Sequence, residues 1–98
     1  MIGERRLTLI TEDGQTRDIL ARIGTPERTP DHTDFSCACQ IVGCGDDKVH
    51  RIYGVDAFQS LQLTLKFIST LLNHYSKEVN GRIYWLEPGD DMGFTDIE

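Results

Sequence analysis

Alternating apolar and polar positions in the first half of the chain predict β-strands. The alternation occurs in four runs, at residues 6–11, 16–23, 35–42 and 49–53. This period of two is that of an extended strand with one buried face. Asp13-Gly14, between the first two runs, is typical of a tight hairpin turn. Four strands joined mostly by short connections indicate an antiparallel meander.

Beyond residue 55 the apolar period changes to about 3.6, which predicts one long amphipathic helix over residues 56–79. The predicted core stripe is centred on Leu61 and consists of Phe58, Leu61, Leu65, Ile68, Leu72 and Tyr75. Asp56 is a typical N-cap, and Gln59 is expected to complete a capping box by bonding the Asp56 amide. Asn80-Gly81 supplies a left-handed residue to end the helix.

A last strand at residues 82–86 completes the predicted fold, with Ile83 and Trp85 on one face. Residues 24–34 contain two prolines and are predicted to be a loop. The predicted fold class is α+β: a four-stranded antiparallel meander, then one long helix packed on one face of the sheet, then a final short strand. A chain of 98 residues is expected to form a single domain, with residues 87–98 an acidic segment docked in part.

The charge of the chain is unevenly distributed. The net charge is −6, but the first 86 residues carry ten basic and eleven acidic side chains, a net charge of −1. The remaining excess is carried by Glu87, Asp90, Asp91, Asp96 and Glu98. Direct nucleic-acid binding is not expected, because affinity for phosphate comes from clustered Lys and Arg. A basic protein partner fits this charge better.

No segment of the sequence resembles a signal peptide or a membrane span. The longest apolar-rich stretch, residues 61–72, is interrupted by polar residues and is too short to cross a bilayer. Three cysteines, an odd number, indicate free thiols in a reducing compartment. The sequence therefore predicts a cytoplasmic protein that does not bind membranes.

The cysteines are predicted to be core residues rather than metal ligands. Cys37 and Cys39 lie two apart on the inner face of a strand, whereas structural zinc ligands usually come in pairs on turns. We expect no metal and no cofactor. Nucleophilic catalysis would need Cys44 to meet a base in the folded chain, and the candidate bases are His32, His50 and His74.

One flank of the predicted helix carries apolar residues outside the core stripe. At about 100° per residue, Leu63 lies roughly 200° from Leu61, and Phe67 about 240°. His74 falls between these two positions. Leu63, Phe67 and His74 therefore form a candidate contact surface, either for a second copy or for another protein.

The second half of the chain contains three motifs: the helix start Gly54-Val55-Asp56-Ala57-Phe58-Gln59-Ser60-Leu61-Gln62-Leu63, then Trp85, and then Asp90-Asp91-Met92-Gly93-Phe94. In these motifs the chain resembles a family of small, uncharacterised bacterial proteins. The family has no assigned function to carry over. The resemblance implies that residues 90–94 belong to the domain, with Phe94 docked on it.

The predicted function is that of a non-enzymatic protein-binding module, most concretely a cytoplasmic immunity protein that neutralises a bacterial toxin through an acidic surface. This is an analogy with small acidic inhibitors. The expected charged contacts are Glu87, Asp90, Asp91, Asp96, Asp46 and Asp47. One alternative is a small metal- or thiol-dependent enzyme that uses Cys44, a histidine and Asp90 or Asp91. Another is a homodimeric accessory protein that associates through Leu63 and Phe67.

Overall fold

The computed structural model describes residues 2–30 and 34–86, which form an antiparallel sheet with one helix packed on it. The elements are β1 (Gly3–Ile10), β2 (Thr16–Ile23), β3 (Glu27–Arg28), β4 (Phe35–Val42), β5 (Val49–Gly54), α1 (Ala57–Glu78) and β6 (Arg82–Tyr84). The predicted α+β class is confirmed. The strands predicted at 16–23 and 35–42 match β2 and β4, whereas β1 begins three residues before the prediction.

All six of the described strands belong to one sheet. β1 pairs with β2, β2 with β4 and β4 with β5, each antiparallel, and this is the predicted meander. β6 joins the other side of β1, also antiparallel, so that Leu9 faces Ile83. The sheet thus runs from β5 at one side to β6 at the other, and α1 connects these two strands.

The strand count differs from the predicted four plus one, because β3 lies within the segment predicted to be a loop. β3 pairs with the start of β4, with Glu27 opposite Ser36. β2 pairs with the end of the same strand, and the Gly24 amide donates to the Ala38 carbonyl at 2.7 Å between the two pairings. β3 therefore continues the β2 position after a short break. A two-residue strand has no periodicity, which is why the pattern did not predict it.

The buried face of α1 is rotated from the prediction. Its buried side chains form a single row at spacings of four: Ser60, Thr64, Ile68 and Leu72. Leu61 and Leu65 lie beside this row and are half-buried. Phe58, which the apolar pattern assigned to the core, is 80% exposed.

The row can lie close to the sheet because the side chains in its N-terminal half, Ser60 and Thr64, are small. A Cβ atom on Gly54, at the end of β5, would lie 2.4 Å from the Ser60 nitrogen and 2.8 Å from the Ser60 Cα. Backbone thus meets backbone at this point, which only a glycine permits. The buried hydroxyls are satisfied within the helix, since Ser60 donates to the Ala57 carbonyl at 3.0 Å and Thr64 to the Ser60 carbonyl at 2.6 Å.

The predicted caps of the helix are present, with one difference. The Asp56 carboxylate accepts from the Gln59 amide at 2.8 Å, as expected for an N-cap. The Gln59 side chain, however, accepts from the Val55 amide at 2.7 Å and not from the predicted Asp56 amide. Asn80 has the left-handed φ of 53°, so it ends the helix as the Asn-Gly pair predicted.

The core lies between α1 and the strands beneath it. It consists of Leu7, Leu9, Ile19, Ala21, Cys39, Ile68, Leu72 and Ile83. Cys37 and Cys39 are both buried on the inner face of β4, as predicted. A hydrogen bond joins the C-terminal end of the helix to the sheet, because Arg17 of β2 donates to the Tyr75 hydroxyl at 2.7 Å. In the part of the chain described here, no helix is long and apolar enough to cross a membrane.

Substituting Gly54→Ala is expected to destabilise the fold, because the added methyl group would overlap the Ser60 backbone. Overpacking of this kind costs about 1–3 kcal/mol. Gly3→Ala is the matched control, since a Cβ at that position meets nothing within 4 Å. Urea denaturation of both variants measures the difference, and equal stabilities would contradict the close contact.

Candidate functional site

Both long hairpin turns and the C-terminal end of α1 lie at one end of the sheet. Ile10 pairs with Thr16 across the first turn, and Leu20 pairs with Val42 just before the second. Residues 11–15 and 43–48 therefore project from the same end. We call this region, together with residues 71–79 of the helix end, the two-hairpin end.

A cleft of about 390 Å³ lies between the helix end and the second turn. Its apolar lining comes from Ile41 and Leu71, and its polar lining includes Cys44, His50 and His74. The structure therefore brings together the cysteine and two of the three histidines that the sequence named as candidates. Acidic and basic side chains complete the lining: Asp46, Lys48 and Glu78.

Asp46 and Asp47, predicted as partner contacts, are exposed and hold the second turn. The Asp46 carboxylate accepts from the Lys48 amide at 3.0 Å, and the Asp47 carboxylate accepts from the Gly43 amide at 3.1 Å. The Asp47 carbonyl also accepts from the Gln40 side chain at 2.7 Å. These hydrogen bonds fix the turn and leave two negative charges at the surface.

The first turn presents a second pair of acids, Glu12 and Asp13, both exposed. The Asp13 carboxylate accepts from the Thr11 hydroxyl and from the Gln15 amide. The Thr11 bond, and then the Gln15 bond, lower the pKa of Asp13 from its ordinary value. Asp13 is therefore ionised at neutral pH. Glu12 and Asp13 also line a cavity against Val79 at the helix end.

The two-hairpin end consequently carries an excess of negative charge. Its turns and the last helical turn contribute five acids: Glu12, Asp13, Asp46, Asp47 and Glu78. The same segments contribute two bases, Lys48 and Lys77. Sequence reasoning named Asp46 and Asp47 but missed the other three. The signal that could have found them is the meander itself, which places alternate turns at one end of a sheet.

The surroundings of the thiol in the cleft favour its protonated form. Burial raises the pKa of Cys44 to about 11, an effect that Arg17 opposes and Asp47 reinforces. His50 packs edge-on against Phe67, with ring centroids 5.0 Å apart, and His74 Nε2 bonds the Glu78 carboxylate. The described residues contain no group of three or more His, Cys, Asp or Glu placed to hold a metal ion.

The helix flank named from the sequence lies above β5. Leu63 is 41% exposed, as its position outside the core requires. Phe67 is half-buried, because it packs against the core and against His50. His74 is exposed at the rim of the cleft. The flank therefore extends along the helix from β5 to the two-hairpin end.

Several of the predicted site residues fall outside the part of the chain that the structure describes. These are His32, Glu87, Asp90, Asp91 and Asp96, with Phe94 and Glu98. Their predicted roles stay predictions.

Comparison with known families supplies one match. The profile of a family described as "Domain of unknown function (DUF6968)" matches residues 3–96. The chain belongs to the DUF6968 family. This agrees with the resemblance to an uncharacterised family noted from the sequence. No curated protein and no solved structure is similar enough to the DUF6968 chain to count as a match.

Alkylation of Cys44 by iodoacetamide is expected to be slow at pH 7.5 and to accelerate as pH rises toward 11, where the thiolate forms. A pKa raised to that value corresponds to a rate about 100-fold below that of an ordinary exposed thiol. Cys37 and Cys39 are buried and serve as internal controls, and mass spectrometry locates the adduct. A rate that is already maximal near pH 7 would contradict this result and favour a thiol enzyme.

Proposed function

We propose that this DUF6968 protein is a non-enzymatic binding module, and that it acts as a cytoplasmic immunity protein which neutralises a basic bacterial toxin domain. Its contact surface in this proposal is the two-hairpin end. The acids predicted as charged contacts beyond residue 86, which are Glu87, Asp90, Asp91 and Asp96, belong to the same proposal as further contacts.

The observation that carries the proposal is the convergence of five acids from two turns and a helix end. An acidic surface attracts a basic partner, accelerates the encounter and sets its orientation. The described remainder of the chain has no excess of acidic side chains. The excess of negative charge among the described residues therefore lies at the two-hairpin end. A nuclease-type toxin has a basic substrate groove that such a surface could cover.

The acids are also held in place before any partner arrives. Asp13, Asp46 and Asp47 each accept a hydrogen bond from a backbone amide of their own turn. Ordering flexible side chains and loops upon binding costs free energy, and a preformed turn reduces that cost. The hydrogen bonds that build the turns therefore also support recognition.

The cleft beside the second turn supplies an apolar element to the same surface. Ile41 and Leu71 line it, with charged residues around them. Protein interfaces commonly concentrate their binding energy where a large side chain of one partner fills such a site. In this proposal the acids steer the toxin domain, and the cleft receives one of its apolar or aromatic side chains.

The enzyme alternative is less well supported by the cleft chemistry. A catalytic cysteine needs a lowered pKa or an adjacent base, whereas burial raises the pKa of Cys44 to about 11. The described contacts of His50 and His74 are with Phe67 and Glu78.

Reversing two charges at the two-hairpin end is expected to weaken binding to the partner, which we expect the adjacent gene to encode. Glu12→Lys with Glu78→Lys avoids the acids that hold the turns, and the exposed His74–Glu78 pair contributes little to stability. We expect about a 10- to 100-fold loss of affinity, mainly through a slower association rate and with a weaker dependence on salt. Surface plasmon resonance at two salt concentrations measures both effects.

The matched control is Glu27→Lys with Asp34→Lys. It makes the same change in charge at the opposite end of the sheet, where both side chains are exposed. Binding of the control variant should stay within about threefold of wild type. Equal losses in the two variants would point to net charge alone. Unchanged binding by the first variant would contradict the two-hairpin end as the contact surface.

A further inference from the structure

β5 forms an open edge of the sheet in the part of the chain that the structure describes. It pairs with β4 along its whole length, from Val49 opposite Gln40 to Gly54 opposite Phe35. No described strand pairs with its other side. An edge strand presents unpaired amide and carbonyl groups, which can accept another strand.

Exposed apolar side chains surround this edge. On the outer face of β5, Val49 is 55% and Tyr53 is 58% exposed, and Val55 directly after the strand is 73% exposed. On the helix side, Leu63 adds the fourth. Natural edge strands are usually protected by charges or short length. β5 is six residues long and carries the charged Arg51, but four exposed apolar side chains lie around it, which indicates a contact surface.

We propose that β5 pairs antiparallel with β5 of a second copy of this chain, in the register that places Ile52 opposite Ile52. The two sheets then form one continuous sheet around a twofold axis. Such an interface is self-complementary, because each contact occurs twice.

The outer face of the strand selects this register. Arg51 of each copy lies opposite Tyr53 of the other copy, so that two guanidinium groups stack on two phenol rings. Val49 lies opposite Val55, an apolar pair at each end. Just beyond, Lys48 of one copy approaches Asp56 of the other, which brings opposite charges together.

The helix side is consistent with the same axis. The Gly54–Ser60 contact and the His50–Phe67 contact place the middle of β5, at Ile52, beside the helix near Leu63. Residues directly opposite in an antiparallel pair share a face, so both helices lie on the same side of the combined sheet. The exposed Leu63 side chains of the two copies then face each other close to the axis, above the Ile52 pair.

Neighbouring registers are less favourable. A shift that places Arg51 opposite Arg51 brings two like charges together at the centre. The opposite shift places Tyr53 opposite Tyr53 and leaves both arginines facing Val55. A shift of the register by one residue would place the outer-face side chains of one copy beside the inner-face side chains of the other.

Sedimentation of the wild-type protein and three variants tests this proposal. Interfaces of ordinary size have dissociation constants no weaker than micromolar. At a protein concentration of about 100 µM, the wild type should therefore sediment with twice the monomer mass. Arg51→Glu, and separately Tyr53→Lys, should each weaken the dimer by about 10-fold, because each removes both cation–π pairs. The variant carrying both changes places a carboxylate at position 51 opposite an ammonium group at position 53, twice per dimer. It should restore the dimer to within about threefold of wild type.

The restored dimer depends on the register, because only a pairing of position 51 with position 53 turns the two changes into attraction. Arg6→Glu, at an exposed outer-face position of β1, is the control for charge and should leave the dimer intact. Circular dichroism confirms that each variant is folded. A monomeric wild type at this concentration overturns the proposal whatever the variants do. A wild-type dimer that neither single variant weakens overturns the β5 edge, and a weakened dimer that the double variant does not restore overturns the register.

Discussion

The close contact between Gly54 and Ser60 determines how the single helix lies on the sheet. Backbone meets backbone there, so the first turn of α1 is held against the end of β5. With that end fixed and Asp56 capping it, the row from Ser60 to Leu72 faces the strands below. Two consequences follow from this rotation. The Leu63 flank lies above β5, and the helix ends beside the two hairpin turns.

Much of this fold could be predicted from periodicity and turn chemistry, but the rotation of the helix could not. A count of apolar residues gives weight to Phe58 and none to Ser60 or Thr64, although the small residues are buried and Phe58 is exposed. Their burial depends on Gly54, which is near in sequence yet meets Ser60 only once the chain turns back. The strand β3 was missed for a similar reason, since two residues form a strand only because β4 is already beside them.

The candidate site could be predicted only in part, because its acids come from separate elements that meet only in the folded chain. Asp46 and Asp47 are adjacent in sequence, and their local sequence predicts a turn. Glu12 and Asp13 belong to a different hairpin, and Glu78 to a helix, so only the register of the meander brings them together with Asp46 and Asp47. The cleft brought Cys44, His50 and His74 together, yet burial raises the pKa of the thiol to about 11, which no sequence pattern could reveal. Proximity and reactivity are separate properties, because a raised pKa lowers the fraction of reactive thiolate at neutral pH.

Partner recognition is proposed to occur at the two-hairpin end. The most direct test is a titration of the isotopically labelled protein with the basic partner that we expect the adjacent gene to encode, followed by amide chemical shifts. Binding there predicts that the largest changes fall in residues 11–15, 43–48 and 71–79, with the strand ends near Glu27 and Gly54 little affected. Changes concentrated on the outer face of the sheet, or the absence of any change at saturating partner, would contradict it.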